Sequence, residues 1–446
     1  MYRELSNLIL YRDTRGDSIL FRLGNIFEQF ELGSASPEHL RTAIYVEVRR
    51  ILEVATQYGF DENLWQNYLA YYIVMHENPF SFTYEKAGKQ EGSVNLFAEN
   101  DFAIFRRLFD FDFSAIEQAL DIRCFSILCH YRAISKREQI YNKNVSERVR
   151  SLSRDIAATA NGAETLEVVS RFYRDWGVGM FGLNRAFRLQ YLDAELSLRP
   201  ISNMDRVMLD DLVGYEAQKK ALVENTEAFL AGKPANNVLL YGDSGTGKST
   251  SIKAIVNRYY DRGLRMIEIY KHQFKDLSGV IAMIKNRNYR FIIYMDDLSF
   301  EENETEYKFL KAVIEGGVET KPDNLLIYAT SNRRHLIRES FRDRNDAEYT
   351  GDLHHAETVE EKLSLFNRFG LAIGYFKPSR SEFDRIVLSL AEKHPTITLD
   401  EETLLQRAHA WELRHGGASG RTAQQFINHL AGNSPDHLDE SKEGEA

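Results

Sequence analysis

YGDSGTGKSTS, residues 241–251, decides how the rest of this chain is read. Gly242, Gly245, Gly247, Lys248 and Ser249 fill the pattern G-x-x-x-x-G-K-[ST] completely. Glycines at those places let a loop curl until its backbone N–H groups point inward at phosphate oxygens. Asp243, Ser244 and Thr246 lie within the curl, and Thr250 follows in the first helical turn. Lys248 has the reach for β- and γ-phosphates, and the Ser249 hydroxyl suits Mg2+. The surroundings are the right ones. NVLLYG before the loop reads as a short buried strand. KSTSIKAIVNRYY after it reads as a helix with Ile252, Ile255, Val256 and Tyr259 on one side. The start of such a helix favours an anion.

LRMIEIY (264–270), YRFIIYMDD (289–297), NLLIYATSN (324–332) and FGLAIGYF (369–376) read as further buried strands between helical segments. Strands alternating with helices predict a mostly parallel sheet, here of five strands, wrapped on both faces. Ligands of such sheets sit at the carboxyl ends of the strands. At one of those ends stand Asp296, placed to hold Mg2+, and Asp297, placed to orient and deprotonate an attacking water. Many hydrolysing phosphate-loop enzymes carry the longer glutamate at the second place, so Asp297 leaves open a protein that binds nucleotide and turns it over little. At another end stand Thr330, Ser331 and Asn332, and the amide of Asn332 suits positioning water against a γ-phosphate.

Residues 1–200 read as a mainly helical N-terminal domain. SPEHLRTAIYVEVRRILEVATQYGF spaces Leu40, Ile44, Val48, Ile51 and Leu52 helically behind the cap residue Ser36. The aromatics of the segments that follow fall at core spacing. The nucleotide-binding core runs over 205–376 and a helical lid over 377–432. Ser379 with Glu382, and Thr398 with Glu401, form capping-box patterns at two lid helices. The polar, acidic tail 433–446 has the composition of a disordered segment.

Other chemistries recede. A net charge of −10 disfavours non-specific nucleic-acid coating. Neither a signal-peptide pattern nor a bilayer-spanning apolar run is visible, which predicts a cytoplasmic protein without a membrane span. Cys124 and Cys129 have the spacing of neither a redox pair nor a zinc site. Gly177, Gly179 and Gly182 match G-x-G-x-x-G, but helical sequence precedes them, so they read as a helix-breaking turn. The arginine-rich run 333–344 reads either as a DNA or subunit contact or as a solvated helix with paired charges. Because no guanine-reading N-K-x-D follows the loop, ATP is the expected nucleotide.

With these pieces in order, the chain resembles an AAA+ ATPase: LDDLVGYEAQKKAL, the phosphate loop, IIYMDD, IYATSN, NRFGL and SGR follow one another over about residues 205–432. The resemblance implies an AAA+ α/β core with a helical lid and a Mg·ATP site shared between subunits of a homo-oligomeric ring or partial ring. It implies that Asn332 is sensor 1, that Arg421 contacts the γ-phosphate from the lid, and that Arg368 projects into the neighbouring subunit's site. More narrowly, TSNRRHLIRESF, NRFGLAIGY, SGRTAQQFI and the upstream RFYRDWGVGMFGLNRAF resemble a bacterial AAA+ family catalogued only as a domain of unknown function (family 815). Its members often carry aspartate where this chain has Asn367. The expected function is therefore ATP binding and hydrolysis by an oligomer, acting on an unidentified protein partner held by the N-terminal domain. A DNA-linked, helicase-loader-like ATPase and an ATP-gated scaffold are the alternatives. An unfoldase fits less well, because KHQFKDLSG (271–279) offers only Phe274 for an aromatic loop.

Overall fold

The computed structural model describes residues 1–432 apart from 15, 88–90, 135–142, 193, 301–305, 316–320 and 333–367. The arginine run 333–344, Asn367 and the acidic tail 433–446 lie outside the described residues. The chain divides into two compact units: Met1–Arg185 with Pro200–Asn203, and Ala186–Arg199 with the chain from Met204 on.

The first unit is built of helices. In Pro37–Tyr58 the Ser36 side chain accepts from the His39 N–H, and Gly59 ends the helix in the left-handed region at φ 69°. The aromatics form its core: Trp65, Tyr68, Phe102, Phe105, Phe113 and Phe125 are all buried, the last two stacked at 4.2 Å. Asp101 lies within this core without exposure, satisfied by the N–H groups of Ile9, Leu10 and Tyr11. The three-glycine segment follows the helix Gly162–Trp176 and leads into the short helix Gly179–Leu183, so it is a turn between helices. Burial pushes the Cys124 thiol up to about 11 and raises Cys129 as well, which leaves neither poised as a nucleophile.

The second unit holds a seven-stranded sheet in the order β2-β1-β4-β5-β6-β3-β7. The expected strands are present as β3 (Val238–Gly242), β4 (Leu264–Glu268), β5 (Arg290–Met295), β6 (Leu325–Ser331) and β7 (Leu371–Tyr375). They pair in parallel throughout. Central strands covered on both faces read as unbroken apolar runs, and β6, LLIYATS, is buried at every residue. The count of five falls short because β1 (Ala186–Leu192) and β2 (Glu195–Pro200) extend the sheet from within the stretch expected to be helical. β1 runs parallel to β4, Arg188 opposite Glu268 and ion-paired with it. A connection of two residues, with Ala194 at φ 67°, turns β2 back along β1, so this edge of the sheet is antiparallel.

Three helices follow β7: Arg380–Ala391, Glu401–Arg414 and Gly420–Gly432. They close on Phe383, Ile386, Val387, Leu404, Phe426 and Ile427. Ser379 and Glu382 form the capping box that the spacing predicts. At the second helix the cap is Asp400, which accepts from the Thr403 N–H at 2.9 Å, and not Thr398. Both residues are good caps, and the helix starts two residues later than the Thr-Glu spacing suggests.

Candidate functional site

β3 runs into the phosphate loop at the centre of the sheet, and the helix Lys248–Tyr259 leaves it. Gly242 has φ 129°, and a Cβ there would lie 2.0 Å from the Tyr375 carbonyl oxygen of β7. Only glycine fits both demands. Gly242→Ala is expected to destabilise this unit by about 3 kcal/mol or more, summing backbone strain and overlap. A thermal unfolding midpoint unchanged from wild type would contradict that. The loop is held from β7 by the Asp243 N–H, which donates to Tyr375 O at 2.9 Å. In return the Asp243 carboxylate accepts from the Lys377 N–H at 2.8 Å. Tyr215 stacks on Tyr375 and donates its hydroxyl to Phe376 O.

The Lys248 side chain is buried inside this curl. Its Nζ donates to Gly242 O at 2.9 Å, Asp243 O at 2.6 Å and Asn332 Oδ1 at 3.1 Å. Burial lowers its pKa, while the charges of Asp243, Asp297 and Asp296 work to keep it protonated. Asn332 spans two groups, because its Nδ2 donates to Asp297 Oδ1 at 2.7 Å. Lys248, Asn332 and Asp297 thus form one chain across the mouths of β3, β6 and β5.

Asp296 is set by hydroxyls. Its Oδ1 accepts from Ser249 Oγ at 2.8 Å and from Thr330 Oγ1 at 2.6 Å. Burial by itself would raise its pKa, but the Thr330, Tyr294 and Ser249 hydroxyls, with the Asp297 N–H, outweigh it and hold the carboxyl below its usual range. Thr330 also accepts from the Asp297 N–H at 2.9 Å, so one buried hydroxyl ties down both acids. Asp297 itself turns the chain out of the strand at φ 50°. Side chains alternate along a strand, which is why Thr330 and Asn332 face the cleft and the intervening Ser331, fully buried, does not line it.

From the lid, the Arg421 N–H donates to Gly245 O at 3.2 Å, and its Nη1 lies 3.4 Å from Ser244 Oγ. Phosphate loop, acids and lid enclose a cleft of about 830 Å3. Beyond the loop its wall turns aliphatic, with Val207, Leu212, Val213, Ile386 and Leu390, a surface suited to the flat face of a base. Lys393 of the lid and Asp211 of the core meet across its rim at 2.6 Å. Arg368 is not among the residues lining this cleft; it lies before β7, at the opposite end of that strand from Tyr375 and the loop. The aromatic loop candidate Phe274 is a buried core residue, 1% exposed.

Ser249 and Asp296 offer hard oxygen donors to a cation. Among the described residues no group of three or more His, Cys, Asp or Glu side chains is placed to hold a metal. A site with two protein oxygens, to be completed by phosphate oxygens and water, fits Mg2+ better than a dedicated protein cage.

The family described as "Protein of unknown function (DUF815)" matches residues 183–434, more than half of the chain. The chain belongs to this family. The DUF815 match begins within the helix Gly179–Leu183, just ahead of β1, and ends just past the last lid helix. No curated protein matches. Among solved structures, the Thermotoga maritima RuvB Holliday junction branch migration motor is similar at 15% identity and a TM-score of 0.34, over 50% of this chain and 63% of that one. A mutant of the same Thermotoga maritima RuvB is similar at 17% identity and a TM-score of 0.35, over 50% of this chain and 64% of that one. This DUF815 chain thus spans under two thirds of those proteins' length. By its parallel sheet, phosphate loop, strand-end acids and helical lid, the DUF815 region is an AAA+ nucleotide-binding fold.

Proposed function

We propose that this chain binds Mg·ATP in the cleft and hydrolyses it as one subunit of a homo-oligomer. The observation that carries this reading is the chain Lys248–Asn332–Asp297 beside the Ser249–Asp296 pair. Lys248 faces the β- and γ-phosphates, and the loop N–H groups with the following helix start cradle them. Ser249 and Asp296 hold Mg2+, whose charge offsets that of the phosphates. Asp297 takes the proton of the attacking water, and Asn332 orients that water while keeping the carboxylate in place. Arg421 approaches the γ-phosphate from the lid of the same subunit. Arg368 fits a role on the neighbouring subunit's nucleotide, since its own cleft does not include it. The helical N-terminal unit is free for a macromolecular partner, a protein in this reading. Cytoplasmic location belongs to the same proposal; among the described residues no helix is long and apolar enough to cross a membrane.

A second reading has one observation in its favour. The short arm of Asp297 is already engaged by Asn332, an arrangement that suits an ATP-gated scaffold with little turnover. Steady-state hydrolysis across protein concentrations separates the two. Turnover per subunit that rises as the protein assembles supports the ATPase. Mg·ATP binding without turnover in the assembled state supports the scaffold. Within the ATPase reading, Asp297→Asn is expected to leave Mg·ATP binding within a few fold and to cut hydrolysis by about 10² to 10⁴. Wild-type turnover in that variant would take Asp297 out of the mechanism.

A further inference from the structure

The aliphatic end of the cleft is made of two halves from different parts of the chain. The core contributes Leu212 and Val213, which follow the turn Leu209–Asp211, and the lid contributes Ile386 and Leu390 from the helix Arg380–Ala391. Val213 packs against the lid's apolar core, so the halves meet along a seam. Lys393, two residues past the end of that lid helix, and Asp211 both line the cleft and close the seam at its rim, with Nζ 2.6 Å from Oδ1. Each partner is anchored on its own side. Asp211 Oδ2 accepts from the Met208 N–H at 2.7 Å, which fixes the carboxylate on its turn. The Lys393 N–H donates to Leu390 O at 3.2 Å. The hydrogen bond from Lys393, with that from the Met208 N–H, holds the Asp211 carboxyl below its usual range and keeps it ionised at neutral pH. At the phosphate end the lid is fastened separately, by Arg421 to Gly245 and by Lys377 to Asp243.

Resting on the reading of this cleft as a Mg·ATP site, we infer that the Lys393–Asp211 pair is a latch that sets how fast nucleotide enters and leaves. A base held between the core wall and the lid wall passes the rim when the two part, and parting them breaks the pair. The pair joins protein to protein and is no contact of the nucleotide. It therefore slows entry and exit alike and leaves the affinity nearly as it is. Its strength suits a device that opens at every exchange. The two side chains are 48% and 42% exposed, and an ion pair in such a place resists opening by up to about fivefold, far short of locking the lid.

The test uses Asp211→Asn, which keeps an oxygen for the Met208 N–H, and Lys393→Met, which keeps the aliphatic stem, singly and together. Association and dissociation of a fluorescent ATP analogue with Mg2+ are followed by stopped flow on the full chain. Each single variant is expected to raise both rate constants about three- to fivefold at low salt, with affinity within about twofold of wild type. The double variant exchanges no faster than either single one, because the pair is already broken. The gap between variants and wild type narrows as salt rises, since screening loosens an exposed pair. Wild-type dissociation rates in both single variants overturn the inference. A double variant whose effect is the product of the single effects also overturns it, because the residues then act separately. Faster dissociation with unchanged association overturns it as well, because the residues then touch the nucleotide directly. All of these leave the cleft reading standing. A wild type that does not bind the analogue removes the inference and the cleft reading together.

Discussion

Lys248→Ala is expected to weaken Mg·ATP binding by about 100-fold or more and to remove hydrolysis with it. The ammonium sits inside the phosphate loop, donating to two loop carbonyls and to Asn332. Those acceptors are neutral oxygens holding a charge in a buried place, and phosphate oxygens are stronger partners for it. Hydrogen bonds to charged groups contribute about 1.5–3 kcal/mol each, so two lost phosphate contacts amount to at least two powers of ten. The variant also cuts the link from the loop to Asn332, leaving the amide tied to Asp297 alone. Titration calorimetry with ATP and Mg2+ measures the first effect. Folding should survive, because the change removes a buried charge whose pKa burial already lowers. Affinity within a few fold of wild type would mean that the nucleotide binds elsewhere.

Arg368→Ala is expected to lower turnover by about 10³ or more while leaving ATP binding nearly intact. The split follows from position. Arg368 stands at the far end of β7 from the loop and lines no part of its own cleft, so one subunit's affinity does not depend on it. An arginine delivered by a neighbour meets the charge that develops in the transition state and contributes on the order of 10³ to 10⁵ in rate. Complementation gives the sharper check. Lys248→Ala subunits cannot hold nucleotide but still present Arg368, and Arg368→Ala subunits hold nucleotide but lack the donor. Mixing two nearly inactive proteins should restore part of the activity. Mixtures as inactive as their components, in oligomers shown to contain both, would place Arg368 outside the reaction.

The phosphate loop was legible because its chemistry is contiguous: a few residues in one short run specify glycine curl, ammonium and hydroxyl at once. The acids at 296 and 297 were legible for a similar reason, since an apolar run ending in two carboxylates has few other meanings. The role of Thr330 was hidden. Its tie to Asp296 exists only once β5 and β6 are side by side. β1 escaped notice because its partner strand lies far along the chain and its own short run adjoins helical sequence. The two-residue error at the Asp400 cap is of another kind: several good cap residues stood in a row, and packing chose among them.

The bonds between Asp243 and the 375–377 segment bear on how the loop and the lid move together. The phosphate loop is fastened to the root of the lid by the paired amides and carboxylate of Asp243, Tyr375 and Lys377. It is fastened to the lid's final helix by the backbone of Gly245 and Arg421. A lid swinging about residues 376–378 must carry the loop with it or break one of these attachments. In the proposed Mg·ATP reading, the phosphates would occupy the short arm of a lever whose long arm is the lid. In the same reading, whatever grips the lid from outside, a neighbouring subunit included, would have a handle on how tightly the nucleotide is held.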